Sequence, residues 1–172
     1  LLAERGTSII HCPESNLKLG SGIARLPELL AAGVNVGLGT DGAASNNDLD
    51  MFGEMRTAGL IHKGVREDPT VVPAEAVLHM ATRGSARAMG LGEKIGSLEV
   101  GKWADLILVD LDRLHLTPLY DLPSHLVYST NKLDVRTVLI HGQMVMRDRE
   151  LLTIDEAQVK AEARAARKKI TG

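Results

Sequence analysis

Val34-Asn35-Val36-Gly37-Leu38-Gly39-Thr40-Asp41-Gly42-Ala43-Ala44-Ser45-Asn46-Asn47-Asp48-Leu49-Asp50 is the stretch on which the fold turns. Val34 to Gly39 is an apolar run that stops abruptly at Thr40-Asp41-Gly42. Such a run reads as a strand with a carboxylate at its carboxyl end. Proteins of the α/β class place their chemistry at the carboxyl ends of parallel strands. Asp41 is therefore a candidate functional carboxylate, in the first place a metal ligand. The competing reading is structural, because an Asp after a strand commonly closes an Asx-turn or caps a helix. Position alone leaves both readings open.

Upstream, Leu1 to Arg5 reads as the last turn of a helix, closed by Gly6. That opening has no Met and no signal-peptide pattern, so the chain is expected to be a piece of a longer protein. Thr7 to Ile10 reads as a short strand ended by His11-Cys12-Pro13, since Pro cannot donate to a strand ladder. Glu14 to Gly22 reads as a polar, glycine-rich loop. Ala24 to Ala32 reads as a helix, with Ile23, Leu26 and Leu30 on its buried side. Strand, helix, strand is the grammar of a parallel sheet, with a right-handed crossover expected. Neighbouring parallel strands would place His11 and Asp41 on one rim, as parts of a metal site or an acid–base pair. A His there can equally bond a loop carbonyl.

Downstream, Met51, Met55 and Ala58 recur at helical spacing behind Asp48 and Asp50, and Asp68-Pro69 ends that pattern. Pro73 opens another helix striped by Val77, Met80 and Ala81, and Thr82 or Ser85 caps a short one ending at Gly90. The character of the chain changes near Leu91. Ala104 to Val109, Val135 to Ile140 and Gln143 to Met146 read as strands, the last two as a hairpin about His141-Gly142. Tyr120 to Tyr128 reads as one or two helical turns. Ile154-Asp155 opens a final helix whose buried face is expected at Val159, Ala163, Ala166 and Ile170.

Several function classes are disfavoured. Net charge is −2 across 172 residues, which leaves no basic footprint for nucleic acid. Arg164, Arg167, Lys168 and Lys169 complement a helix carboxyl end. No apolar run approaches the roughly 18 residues of a membrane span. The single Cys12 excludes an internal disulfide framework and fits a reducing, cytoplasmic setting. Gly37-x-Gly39-x-x-Gly42 matches the dinucleotide fingerprint in letters only. The helical pattern starts near Asp48, and Gly59 to His62, where an acidic strand end is required, is helical. There is no His-x-His, His-Glu-x-x-His or Cys-x-x-Cys, so this chain alone does not assemble a zinc site of three or four ligands. No nucleophile elbow occurs. His62, His79, His115, His125 and His141 read as structural or solvated.

Two loops carry a family resemblance. His11-Cys12-Pro13-Glu14-Ser15-Asn16-Leu17-Lys18-Leu19-Gly20-Ser21-Gly22 and Leu38-Gly39-Thr40-Asp41-Gly42-Ala43-Ala44-Ser45-Asn46-Asn47, continued by Asp48 to Arg56, resemble the amidohydrolase superfamily. Within it they are most similar to the 5'-methylthioadenosine / S-adenosylhomocysteine deaminases. Gly96-Ser97-Leu98-Glu99-Val100-Gly101-Lys102-Trp103-Ala104-Asp105-Leu106 resembles the segment by which these enzymes return to a small β-sandwich.

The resemblance implies an α/β fold class, the C-terminal part of a distorted (β/α)8 TIM barrel plus part of a small β-sandwich. Residues 1–91 would hold barrel strands seven and eight, residues 92–154 the sandwich share, and residues 155–172 a C-terminal helix. Asp41 matches the strand-eight aspartate that binds Zn2+, one per active site, and handles the proton of the attacking water. It thereby serves catalysis, metal and substrate together. His11 would line the substrate pocket. The family's remaining metal-binding histidines and its proton-shuttling Glu have no counterpart in this chain. The implied reaction is metal-dependent hydrolytic deamination of adenine nucleosides by a parent enzyme, with this stretch inactive alone. The implied partner is a small-molecule nucleoside, with no nucleic acid and no membrane, and the resemblance leaves room for a homo-oligomer. A guanine-type deaminase, a chlorohydrolase, or a non-catalytic structural fragment are the alternatives.

Overall fold

The computed structural model describes residues 1–171 and has the mixed α/β character expected. Gly172, the end of the expected final helix, lies outside the described residues. The chain divides into two units. The first comprises Leu1–Lys102 with Leu111–Asp134, and the second Trp103–Asp110 with the chain from Val135 onward.

In the first unit, strand β1 (Ser8–His11) leads into helix α1 (Pro13–Leu19) and helix α2 (Leu26–Ala31), then strand β2 (Asn35–Leu38). The strands pair in parallel, with Ser8 opposite Asn35 and His11 opposite Leu38. Their carboxyl ends therefore coincide, as the β–α–β pattern requires. The expected loop from Glu14 to Gly22 is in fact largely α1. Pro13 fills the first helical position and Gly20 closes the helix at φ 67°, a left-handed cap. Both signals were present in the sequence, behind a polar run of Ser, Asn and Lys.

Helix α3 (Ala43–Asn46) is a single turn directly after Gly42. Helical structure thus begins earlier than the expected start near Asp48. Helix α4 (Met51–Arg66) follows, its first turn capped by the Asp50 carboxylate accepting from the Phe52 N–H at 2.9 Å. Phe52, Met55, Ala58 and Gly59 form its buried face. Leu26, Val36, Leu38 and Val77 complete the apolar core of this unit.

Helix α5 (Ala74–His79) runs through a wide turn, Met80–Gly84, into helix α6 (Ser85–Ala88). This continuous segment replaces the two separately capped helices expected. It also covers the edge of β2 that faces away from β1. The Ser85 hydroxyl accepts from the Leu38 N–H at 3.1 Å and lies 3.1 Å from the Leu38 carbonyl oxygen. A Cβ on Gly84 would stand 2.2 Å from the Val36 carbonyl oxygen, so only glycine fits this approach. Side-chain hydrogen bonds here do what a neighbouring strand would otherwise do. The outer edge of β2 is therefore closed. Ile10 on β1 remains 47% exposed. Helix α7 (Leu122–Tyr128) packs on α4, where Tyr128 lies against Gly59.

In the second unit, strands β3 (Leu106–Val109), β4 (Val135–Ile140), β5 (Gln143–Arg147) and β6 (Glu150–Leu151) form one antiparallel sheet in that order. The hairpin at His141-Gly142 is as expected, with φ of 51° and 78° at its two loop residues. Positive φ at both positions suits the strand twist of a two-residue hairpin. Asp148-Arg149 repeats the device at φ 47° and 73°, and adds the short β6 that the sequence did not announce. Helix α8 (Glu156–Thr171) starts after Asp155, whose carboxylate accepts from the Gln158 N–H at 3.0 Å. Its expected buried face is uncovered, with Val159 51% and Ile170 83% exposed.

Candidate active site

The two parallel strands release their chains at the same end, and Asp41 stands there. Its backbone adopts φ 59°, a left-handed conformation that Asp tolerates better than most residues. The turn leaves the side chain exposed at the end of β2. The Gly42 N–H donates to Asp41 Oδ1 at 2.8 Å, and the Ser15 hydroxyl of α1 donates to Oδ2 at 2.9 Å. The Ser45 hydroxyl, shared with the Gly42 carbonyl, joins the Gly42 N–H and Ser15 in holding the Asp41 carboxyl below the usual carboxylate range. The carboxylate is thus ionised, oriented from both sides, and retains free lone pairs toward solvent. The Gly42 contact is the local turn bond of the structural reading. The Ser15 contact, from another strand–helix junction, is more than that reading requires.

These properties suit one carboxylate ligand of a hard or borderline cation. Among the described residues no group of three or more His, Cys, Asp and Glu could hold a metal ion. A cation held at Asp41 would need its other ligands from outside the described residues.

Beneath Asp41 lies a buried polar network. Glu54 of α4 is fully buried. Its Oε1 accepts from Asn46 Nδ2 at 2.6 Å, and its Oε2 from the Glu14 N–H at 3.2 Å. The same Asn46 amide donates to the Thr40 carbonyl at 2.8 Å. Glu14 in turn accepts from the Thr57 hydroxyl at 2.9 Å. Burial first, and then the nearby Glu14 carboxylate, push the Glu54 carboxyl up to about 7. Sequence reading missed this residue. A carboxylate between Phe52 and Met55, flanking the apolar stripe of α4, was its signal.

His11 is buried at the end of β1, and its Nε2 lies 3.2 Å from Nε2 of His62 on α4. One ring must donate and the other accept, and burial lowers the pKa of both, which favours the neutral form of each. Burial and the neighbouring His62 depress the His11 pKa to about 4. No hydrogen bond joins His11 to Asp41 among the described residues. His62, read from sequence as structural or solvated, is the buried partner of a candidate residue. Of the other histidines, His115 pairs with Asp134 at 3.0 Å, and the His141 ring stacks edge-on against Trp103. Cys12, next to His11, has its thiol pKa raised by burial.

Further polar contacts pin the rim. Lys18 donates to the Ala44 carbonyl at 3.1 Å and to the Asn47 side chain. Lys132 bonds both Asp48 oxygens at 2.7 Å.

The chain is 57% identical, over 95% of its length, to a 5-methylthioadenosine/S-adenosylhomocysteine deaminase of Syntrophobacter fumaroxidans, and covers 37% of that protein. It superposes with a TM-score of 0.96 and 50% identity on a zinc-bound adenosine deaminase from Xanthomonas campestris, covering 98% of this chain and 38% of that one. An atrazine chlorohydrolase from Arthrobacter aurescens, complexed with zinc, superposes with a TM-score of 0.87 and 32% identity, over 95% of this chain and 36% of that one. The chain therefore spans well under half the length of the proteins it matches. The profile of the amidohydrolase family matches residues 1–145. With that match across most of its length, the chain belongs to the amidohydrolase family.

Proposed function

We propose that this chain is the C-terminal portion of a zinc-dependent deaminase of adenine nucleosides, with 5'-methylthioadenosine and S-adenosylhomocysteine as substrates. Residues 1–91 would carry strands seven and eight of a distorted (β/α)8 barrel. Residues 92–154 contain all four strands of the second unit and would carry the chain's share of a β-sandwich. Residues 155–172 would form the closing helix. A cytoplasmic enzyme acting on a small molecule, apart from nucleic acid and membrane, completes the proposal.

The single observation that carries it is the placement of Asp41: ionised, exposed, and braced by Ser15 from the adjoining strand–helix junction. Bound zinc supplies the Lewis acidity that makes water nucleophilic near neutral pH. Asp41 would be one of the residues holding it, and its carboxylate would accept a proton from the attacking water. Ser15 and the Gly42 N–H would fix the carboxylate plane, so that ligand and proton acceptor keep one geometry. His11, buried behind the same rim, would shape the pocket wall from below. The remaining metal ligands would come from the part of the enzyme outside this chain, and the isolated chain would bind zinc weakly and turn nothing over.

A second reading, a triazine-type chlorohydrolase, rests on the zinc-bound chlorohydrolase at TM-score 0.87. Both reactions displace a leaving group from a ring carbon by water. Product release by the whole enzyme decides between them. Ammonia from adenine nucleosides supports the deaminase. Chloride from a chlorotriazine without ammonia from any nucleoside overturns it, and ammonia from guanine alone redirects it to a guanine-type deaminase.

A further inference from the structure

We propose that Glu54 is a positioning residue for Asp41, holding from below the two chain segments that frame it. The inference rests on Asp41 being the metal-binding carboxylate. Glu54 reaches both sides of Asp41 through one intermediary each. Through Asn46 it holds the carbonyl of Thr40, the residue bonded to Asp41. Through the Glu14 N–H it holds the first turn of α1, where the next residue, Ser15, donates to Asp41 Oδ2. Ser15, Asn46 and Glu54 are all buried, so these links are shielded from competing water.

The side-chain type is specific to this task. Both groups facing Glu54 are N–H donors, and only a carboxylate offers two acceptor oxygens to them. A glutamine would turn its own amide toward one donor and break that link. Asn46 cannot compensate by flipping, because its amide also serves the Thr40 carbonyl. Burying a carboxylate with no Lys or Arg bonded to it costs stability, so a core that needed only packing there would be better served by Met or Leu. Placed beneath the candidate ligand, the residue has a geometric role that offsets this cost.

The test uses the whole enzyme loaded with zinc, and compares Glu54→Gln with Asp41→Ala and with Val77→Ala. Val77 is fully buried on α5, outside the network, and its truncation supplies a destabilised reference. Zinc affinity by chelator competition, kcat, KM and thermal midpoint are read for each. Glu54→Gln is expected to weaken zinc affinity roughly 10- to 100-fold and to lower kcat more than it changes KM, as partners of ligands do. Val77→Ala, destabilised by the cavity its truncation leaves, is expected to keep its zinc affinity. Should Glu54→Gln not fold, Asn46→Ser, which removes the bridge from Glu54 to the Thr40 carbonyl and leaves the Glu14 N–H on Glu54, carries the same expectation. Zinc affinity and kcat within twofold of the parent in the folded variant overturn the proposal, as does an equal loss of zinc affinity in Val77→Ala. Full zinc retention in Asp41→Ala overturns instead the reading of Asp41 on which the proposal rests.

Discussion

Ser15 and Asp41 are 26 positions apart in sequence, yet the Ser15 hydroxyl donates to Asp41 Oδ2 at 2.9 Å. That bond joins the ends of two parallel strands and gives the carboxylate an orientation its own turn does not provide. Removing it by Ser15→Ala is expected to cost about 1 kcal/mol of stability. Zinc affinity of the whole enzyme should fall about tenfold, read by chelator competition. Unchanged affinity would reduce Ser15 to an ordinary helix-start hydroxyl.

The His11–His62 pair predicts an acid limit. The folded-state pKa of His11 lies at about 4, below its ordinary value of 6.5. Its contribution is therefore fully present above about pH 6.5 and is lost as pH falls toward 4. The amount at stake is on the order of 3 kcal/mol. Urea midpoints of the parent and His11→Gln should converge across this window, and a pH-independent difference would contradict the pairing.

Glu54 predicts the opposite slope. Its folded-state pKa is raised from 4.5 to about 7, so stability is greatest below 4.5 and declines as pH rises through 7. Glu54→Gln removes the titration. Relative to the parent, the variant should gain between pH 4.5 and 8, by up to about 3 kcal/mol. Between pH 4.5 and 6.5 this trend opposes that of His11, so single variants, not the parent profile, are the proper measurement.

Gly84→Ala should detach the helical cover from β2, since its Cβ would stand 2.2 Å from the Val36 carbonyl oxygen. Loss of about 3 kcal/mol is expected, with aggregation through the exposed strand edge. Differential scanning calorimetry and light scattering read both effects.

The parallel strand pair, α4, the His141-Gly142 hairpin and the final helix were all legible as local patterns. Apolar runs ending at glycine and turn residues report them directly. The first helix was not, because its Pro13 start and Gly20 stop enclose residues whose polarity mimics a loop. The covering of β2 by Ser85 was illegible for another reason. It is a contact 47 positions apart between a hydroxyl and a backbone, which no periodicity encodes. At the site, the sequence singled out Asp41 through its place after a strand. Glu54 left only a faint signal, a carboxylate between Phe52 and Met55, because its role lies in two donors from separate helices, Asn46 and the Glu14 N–H. His62 reads as one more histidine until the fold sets it against His11.

Every role proposed for this rim depends on Asp41 being a metal-binding carboxylate. Zinc content and kcat of the whole enzyme carrying Asp41→Asn test it most directly, with an adenine nucleoside as substrate. The variant keeps size and one accepting oxygen while removing the charge and turning the other oxygen, which faces the Gly42 N–H or the Ser15 hydroxyl, into a donor. A folded protein with sharply weakened zinc binding and kcat reduced by about a thousandfold or more is expected, in line with removal of a charge-handling group at a reacting centre. A folded variant with stoichiometric zinc and near-parental kcat would contradict it.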